Sequence, residues 1–209
     1  MFGIHDYGLF VAACVLLNIA PGQDTLYILG RSVGQGRRIG VASALGVSAG
    51  TVVHTLAAAL GLSAIIATSA TAFLAIKVAG AAYLVYLGVR TLVASRAPLA
   101  ALRNDGPTTA GPAFRQGLVT NVLNPKVALF FLAFLPQFIA PDSDAKVAAF
   151  LALGLTFVGT GTLWVLLLAL AGATAGGFLT RHTAAHRWLL RGMGGLFVVL
   201  GVRLLASER

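Results

Sequence analysis

Two stretches of this chain set amides, a proline and a charge within a few residues of one another in otherwise apolar sequence: Asn18-Ile-Ala-Pro21-Gly22-Gln-Asp24 and Asn121-Val-Leu-Asn124-Pro125-Lys126. Proline has no backbone N–H, and its ring clashes with the carbonyl four residues back, so each stretch should break a helix and free one or two carbonyls. A half-helix starting at each break also points its positive end toward the bilayer midplane, where it can attract a carboxylate. Within hydrocarbon an Asp costs about 2.5–3.5 kcal/mol on insertion scales, so Asp24 should face the protein interior or a wet cavity. Its expected partner is Lys126, either as a static ion pair joining two halves of the chain or as part of a working site. His54 shares a helix face with Gly46 and Gly50, eight and four residues before it, and its titration range would suit a proton relay as readily as its ring would suit packing.

The elements that must hold these groups are membrane spans. Of the 209 residues 58% are hydrophobic and 10% charged, with a mean hydropathy of +0.89, too few polar groups to cover a soluble domain. Apolar runs near 8–29, 40–66, 71–94, 115–139, 147–171 and 188–206 predict an all-α membrane protein of six transmembrane helices. Helices 1 and 4 are expected to be broken at Pro21 and Pro125. The polar stretch with Pro98, Asn104, Asp105, Gly106, Pro107, Gly111 and Pro112 divides a single transmembrane domain into repeat 1 (about 1–95), a linker (about 96–113) and repeat 2 (about 114–209). With three spans each, the halves enter the membrane from opposite sides, which makes any repeat inverted.

Basic residues accumulate in cytoplasmic loops, and an alternating six-span path sorts them sharply. One face receives Arg31, Arg37, Arg38, Arg90, Arg96, Arg103, Arg115, Arg181, Arg187 and Arg191 against Asp105. The other receives Lys146, Arg203 and Arg209 against Asp6, Asp142, Asp144 and Glu208. The loops at about 30–39, 95–114 and 172–187 are therefore expected in the cytoplasm, with both termini outside. Lys77 is placed near the outer end of the third span, where it can snorkel. Basic residues set between apolar spans are a topology signal, so the net charge of +9 does not indicate nucleic acid.

The lone Cys14 excludes an intramolecular disulfide and a thiolate metal cluster, and no cofactor is expected. One carboxylate, one histidine and one cysteine in the spans are a poor set for a desolvated metal, which weighs against a cation carrier. No span contains a paired-aspartate, His-Glu-x-x-His or Gly-x-Ser-x-Gly pattern, so an intramembrane enzyme is disfavoured. Thr156, Gly159 and Thr160 read as a small, polar packing face. The glycine faces Gly46–Gly50 and Gly172–Gly176 suit close packing within one chain or across a homodimer.

Taken together, Asn18 to Asp24, the loop Gly36-Arg-Arg-Ile-Gly40, Ala-Leu-Gly-Val-Ser-Ala-Gly-Thr-Val-Val-His54, and Gly117 to Lys126 followed by Phe-Phe-Leu-Ala-Phe-Leu-Pro-Gln-Phe138 closely resemble the LysE/RhtB family of amino-acid exporters. The resemblance runs from the first span through the sixth. It implies a carrier of the bacterial inner membrane that expels amino acids or close derivatives in exchange for protons; for such a zwitterion the substrate carboxylate is expected near Lys126 and a half-helix N-terminus, and its ammonium near Asp24, Asn18 and the freed carbonyls. Asp24, Asn121, Asn124, Pro125 and Lys126 stand where the family's motif has them. Gln23 departs from it, since many relatives carry a second proline there, and this bears on how far the helix unwinds.

Overall fold

The computed structural model describes residues 2–20, 22–93 and 107–175, together with Gly195, Val198, Val199, Gly201 and Val202. Pro21, most of the polar linker and most of the sixth expected span lie outside the described residues. Within them the chain is helical, and β-pairing is confined to one isolated bridge between Ile4 and Ile139.

Helix α1 (Tyr7–Ile19) and α2 (Gln23–Gln35) meet at an angle of 51°. Helix α3 (Arg37–Ala57) passes through a π-helical turn at Ala58–Leu62 into the short α4 (Ser63–Thr68), and α5 covers Ala70–Val93. Beyond the linker, α6 (Ala110–Val122) meets α7 (Pro125–Leu129) at 45°. α7 continues through a π turn at Phe130–Phe134 and a 3-10 turn at Leu135–Phe138. The long α8 (Lys146–Ala175) completes the described helices. By length and composition, 37–65 and 146–172 are each able to cross a membrane, and the two bent pairs bring the number to four if each is one span.

Apolar side chains occupy the outside of these helices as well as the inside. Leu60, Leu123, Leu155 and Leu163 are all more than 60% exposed, an arrangement suited to lipid and costly in water. The interior holds two clusters. In the larger, Phe10, Phe130, Phe131, Phe134, Phe138 and Phe157 stack edge and face, with Phe130 lying 4.8 Å from Phe157 and 5.0 Å from Phe134 between ring centroids. Cys14 is buried in this cluster. The smaller cluster joins Ile28, Ala44 and Val47 to Val165 and Ala169 of α8.

The most extensive helix contact is α3 on α6. Glycine makes it possible: a Cβ on Gly46 would stand 2.0 Å from the Phe114 carbonyl oxygen, and one on Gly117 2.5 Å from that of Ser43. Thus the Gly46–Gly50 face is occupied by α6 of the same chain. Gly172 likewise lies against Leu29 and Ser32.

Several expectations are corrected. The loop expected over 30–39 is reduced to Gly36, because α2 runs to Gln35 and α3 starts at Arg37; the positive φ of 84° at Gly36, which glycine tolerates, turns the chain in one residue. The linker expected to reach 113 gives way to α6 at Ala110, with Pro112 in the first turn, where a missing N–H is harmless. Arg31 is not a loop charge. It is buried in α2, its guanidinium donating to Gln116 Oε1 at 2.6 Å and lying 5.7 Å from the centroid of the Tyr27 ring. Lys77 does not snorkel along a lipid-facing surface, since only 8% of it is exposed.

Candidate functional site

The two helix junctions face each other and exchange hydrogen bonds. Asp24 is the second residue of α2, where the positive end of the helix favours a carboxylate. Its Oδ2 accepts from Asn121 Nδ2 at 2.9 Å and from Asn124 Nδ2 at 2.8 Å. The same Asn124 caps α7, its Oδ1 accepting from the Lys126 amide at 3.0 Å, with Pro125 at the first helical position. One amide thus ends one element, starts the next and holds the carboxylate. Asp24 Oδ1, in contrast, is buried and receives no hydrogen bond. An unsatisfied buried polar atom costs about 1–3 kcal/mol, more when charged, so this oxygen needs an explanation.

Lys126 reaches across in the opposite sense. Its ammonium donates to the carbonyls of Leu17 at 3.2 Å and Ala20 at 3.0 Å, two of the acceptors left open where α1 ends. Gly22 leaves room for it, as a Cβ there would be 3.2 Å from Nζ. The expected Asp24–Lys126 contact is therefore corrected: the two are not an ion pair, because the carboxylate is held by amides and the ammonium by carbonyls. The freed carbonyls expected to meet a substrate ammonium are filled by Lys126 for the same reason.

Between these groups lies a small cavity. Asn18, Asp24, Asn121 and Lys126 line it, joined by Thr25, Ser48 and Thr51. The rest of the wall includes Leu17, Val47, Val127, Phe157 and Val165. Asn18 donates to Thr160 Oγ1 at 3.1 Å. His54 stands behind the wall: Nε2 is 3.1 Å from the Asn121 carbonyl oxygen, and its ring stacks on Phe131. Of the residues expected at the site, Asn18, Asp24, Asn121 and Lys126 border the cavity, Gly22, Asn124 and Pro125 shape its border, His54 buttresses Asn121, and Pro21 is outside the described residues.

The sequence reading missed Ser48, Thr51, Phe157, Gly161 and Val165. Ser48 and Thr51 flank Gly50 and had a signal in their polarity; the apolar members had none, since nothing in a run of leucine, valine and phenylalanine marks the one that meets a cavity. The face at 156–160 also does more than pack, because Thr160 bonds Asn18 and Thr156 bonds the Tyr7 hydroxyl at 2.9 Å.

Residues 15–208 match the family model for the LysE type translocator. Across 97% of its length the chain is 32% identical to an uncharacterized membrane protein of Pseudomonas aeruginosa, covering 95% of that protein. It is 28% identical to a leucine efflux protein of Salmonella typhimurium across 97% of its own length and 96% of the relative's. An uncharacterized membrane protein of Vibrio cholerae is 34% identical across 74% of the chain and 75% of the relative. No solved structure matches the chain. With a match that spans all but the first fourteen residues and the last, this membrane protein belongs to the LysE type translocator family.

Proposed function

We propose that the chain is a secondary transporter that exports amino acids or close derivatives across the bacterial inner membrane in exchange for protons. The observation that carries this reading is the unpartnered Asp24 Oδ1 at a cavity that also presents Lys126. An α-ammonium supplies the donor that this oxygen lacks. An ammonium group has three N–H bonds, and Lys126 directs two at α1, which leaves one for an α-carboxylate. When no substrate is bound, a proton on Asp24 relieves the same buried charge. Substrate and proton thus compete for one carboxylate, and that competition is sufficient for exchange. Two amide donors aimed at Asp24 favour this over a metal ion, which requires acceptors.

The membrane path that accompanies this reading has six spans, the first and fourth bent at the two junctions, in an inverted 3+3 repeat with both termini outside. Relatives named as leucine efflux proteins support an amino acid as the cargo. In everted vesicles, an imposed pH gradient, acid inside, should drive accumulation of labelled amino acid by the parent. Accumulation that survives collapse of that gradient would remove proton exchange from the account.

A further inference from the structure

His54 has no task in the exchange described above, yet its surroundings are specific. It stands on α3, where Gly50, Thr51 and His54 all meet Asn121 of α6. A Cβ on Gly50 would lie 2.8 Å from the Asn121 Cβ, so the helices meet there with no room to spare. Thr51 Oγ1 lies 3.4 Å from Asn121 Oδ1, and His54 Nε2 lies 3.1 Å from the Asn121 carbonyl oxygen. A carbonyl only accepts, so Nε2 carries the hydrogen. That carbonyl is also the one that Pro125, four residues on, cannot supply with a helical N–H. The Asn124 backbone N–H reaches it at 2.9 Å, and His54 adds a donor from a different helix.

The ring is itself held. It stacks on Phe131 at 5.8 Å between centroids, and the buried Phe131 meets Phe157 edge-on at 5.4 Å. The imidazole is thus fixed on one side by the aromatic cluster and on the other by the turn at 121–124. That turn carries both side-chain amides that converge on Asp24 Oδ2, from Asn121 and Asn124. His54 and Asp24 meet opposite ends of Asn121, the backbone carbonyl and the side-chain amide. Neither end of an asparagine takes up and passes on a proton near neutral pH, so this contact is no relay.

We propose that His54 is a positioning residue: the hydrogen bond from its Nε2 locks the 121–124 turn so that both side-chain amides aim at Asp24, and the proton exchanged there does not pass through the imidazole. This role rests on the exchange reading of Asp24 and supplies what that reading lacks, a reason for two amides to stay aimed at one oxygen. A donor is required at this point and a titrating group is not, so an uncharged amide of similar reach should serve.

Two measurements on His54→Gln and His54→Leu separate a donor from a proton carrier. One is counterflow of labelled leucine in proteoliposomes, which needs no net proton movement; the other is uptake of labelled leucine into everted vesicles driven by a pH gradient, acid inside. His54→Leu should lose about tenfold in both, the scale of a lost hydrogen bond to a buried acceptor, and His54→Gln should restore both to within about threefold of the parent. In an Asn121→Ala background, His54→Leu should cost only about threefold more, because half of what it positions is gone. Normal counterflow by His54→Gln with gradient-driven uptake abolished would make His54 a proton carrier and overturn the proposal. Parent rates in His54→Leu would overturn it too, as would loss of both activities in His54→Gln at an unaltered melting temperature. A full further loss of about tenfold in the Asn121→Ala background would do the same, since additive behaviour belongs to a residue that only supports folding. Loss confined to the variants bears on His54 alone, whereas a parent that exchanges no leucine would overturn the exchange reading and this role with it.

Discussion

At the scale of single residues, the site is an exchange of obligations between two junctions: Asn121 and Asn124 hold Asp24, and Lys126 closes the end of α1. Asp24→Asn keeps the shape and removes the charge, so amino-acid counterflow by reconstituted protein should fall at least tenfold. Loss of a charge-assisted hydrogen bond is worth about 1.5–3 kcal/mol. Counterflow at parent rates would show that Asp24 is structural. Lys126→Met should behave differently, because it also strands the Leu17 and Ala20 carbonyls. Both transport and the detergent-solubilised melting temperature should drop, whereas Asp24→Asn should affect transport far more than melting. These polar residues were legible from their spacing, since an Asp or a Lys in hydrocarbon demands a reason. Their partners were not, because opposite charges suggest an ion pair, whereas in the fold amides and carbonyls claim each group first.

At the scale of elements, close contact between α3 and α6 sets Asn121 beside Thr51 and within reach of Asp24. Gly46→Val would drive a side chain into the Phe114 carbonyl, and overpacking of this kind costs about 1–3 kcal/mol or more. Its melting temperature should fall clearly below that of Gly159→Ala, where a Cβ meets open space. Equal melting of the two variants would show that the helices part without penalty. A second seam joins every fourth residue of α2 to α6 and to the residues just before it. Gln23 bonds the Thr120 carbonyl, Tyr27 the Ala113 carbonyl, Arg31 the Gln116 side chain and Gln35 the Thr108 amide. Glycine spacing showed in the sequence that α3 has a close-packing face, but not which helix fills it. The α2–α6 seam was hidden for a related reason. Gln23 read as a departure at the break and Arg31 as a loop charge, because a polar residue shows its face of the helix only once the helix is known to extend to Gln35.

At the scale of the whole molecule, the apolar composition disclosed a bilayer protein and the charge asymmetry predicts an orientation, whereas the loops came out too long because apolar-run boundaries do not register polar turns of helix such as 30–35. The orientation has its own check. In a background with Cys14→Ser, Asp144→Cys should react with an impermeant maleimide added outside, and Arg38→Cys only after the membrane is opened, both positions being exposed. The opposite pattern would invert the path. Transport by this route requires the amino acid to occupy the space between the two junctions. The most direct measurement is protection of that space: with Cys14→Ser and Thr25→Cys, the rate of maleimide labelling at the cavity wall should fall several-fold in saturating leucine and stay unchanged in leucine amide. An unaltered rate in leucine, under conditions where the same protein performs leucine counterflow, would contradict binding at this cavity.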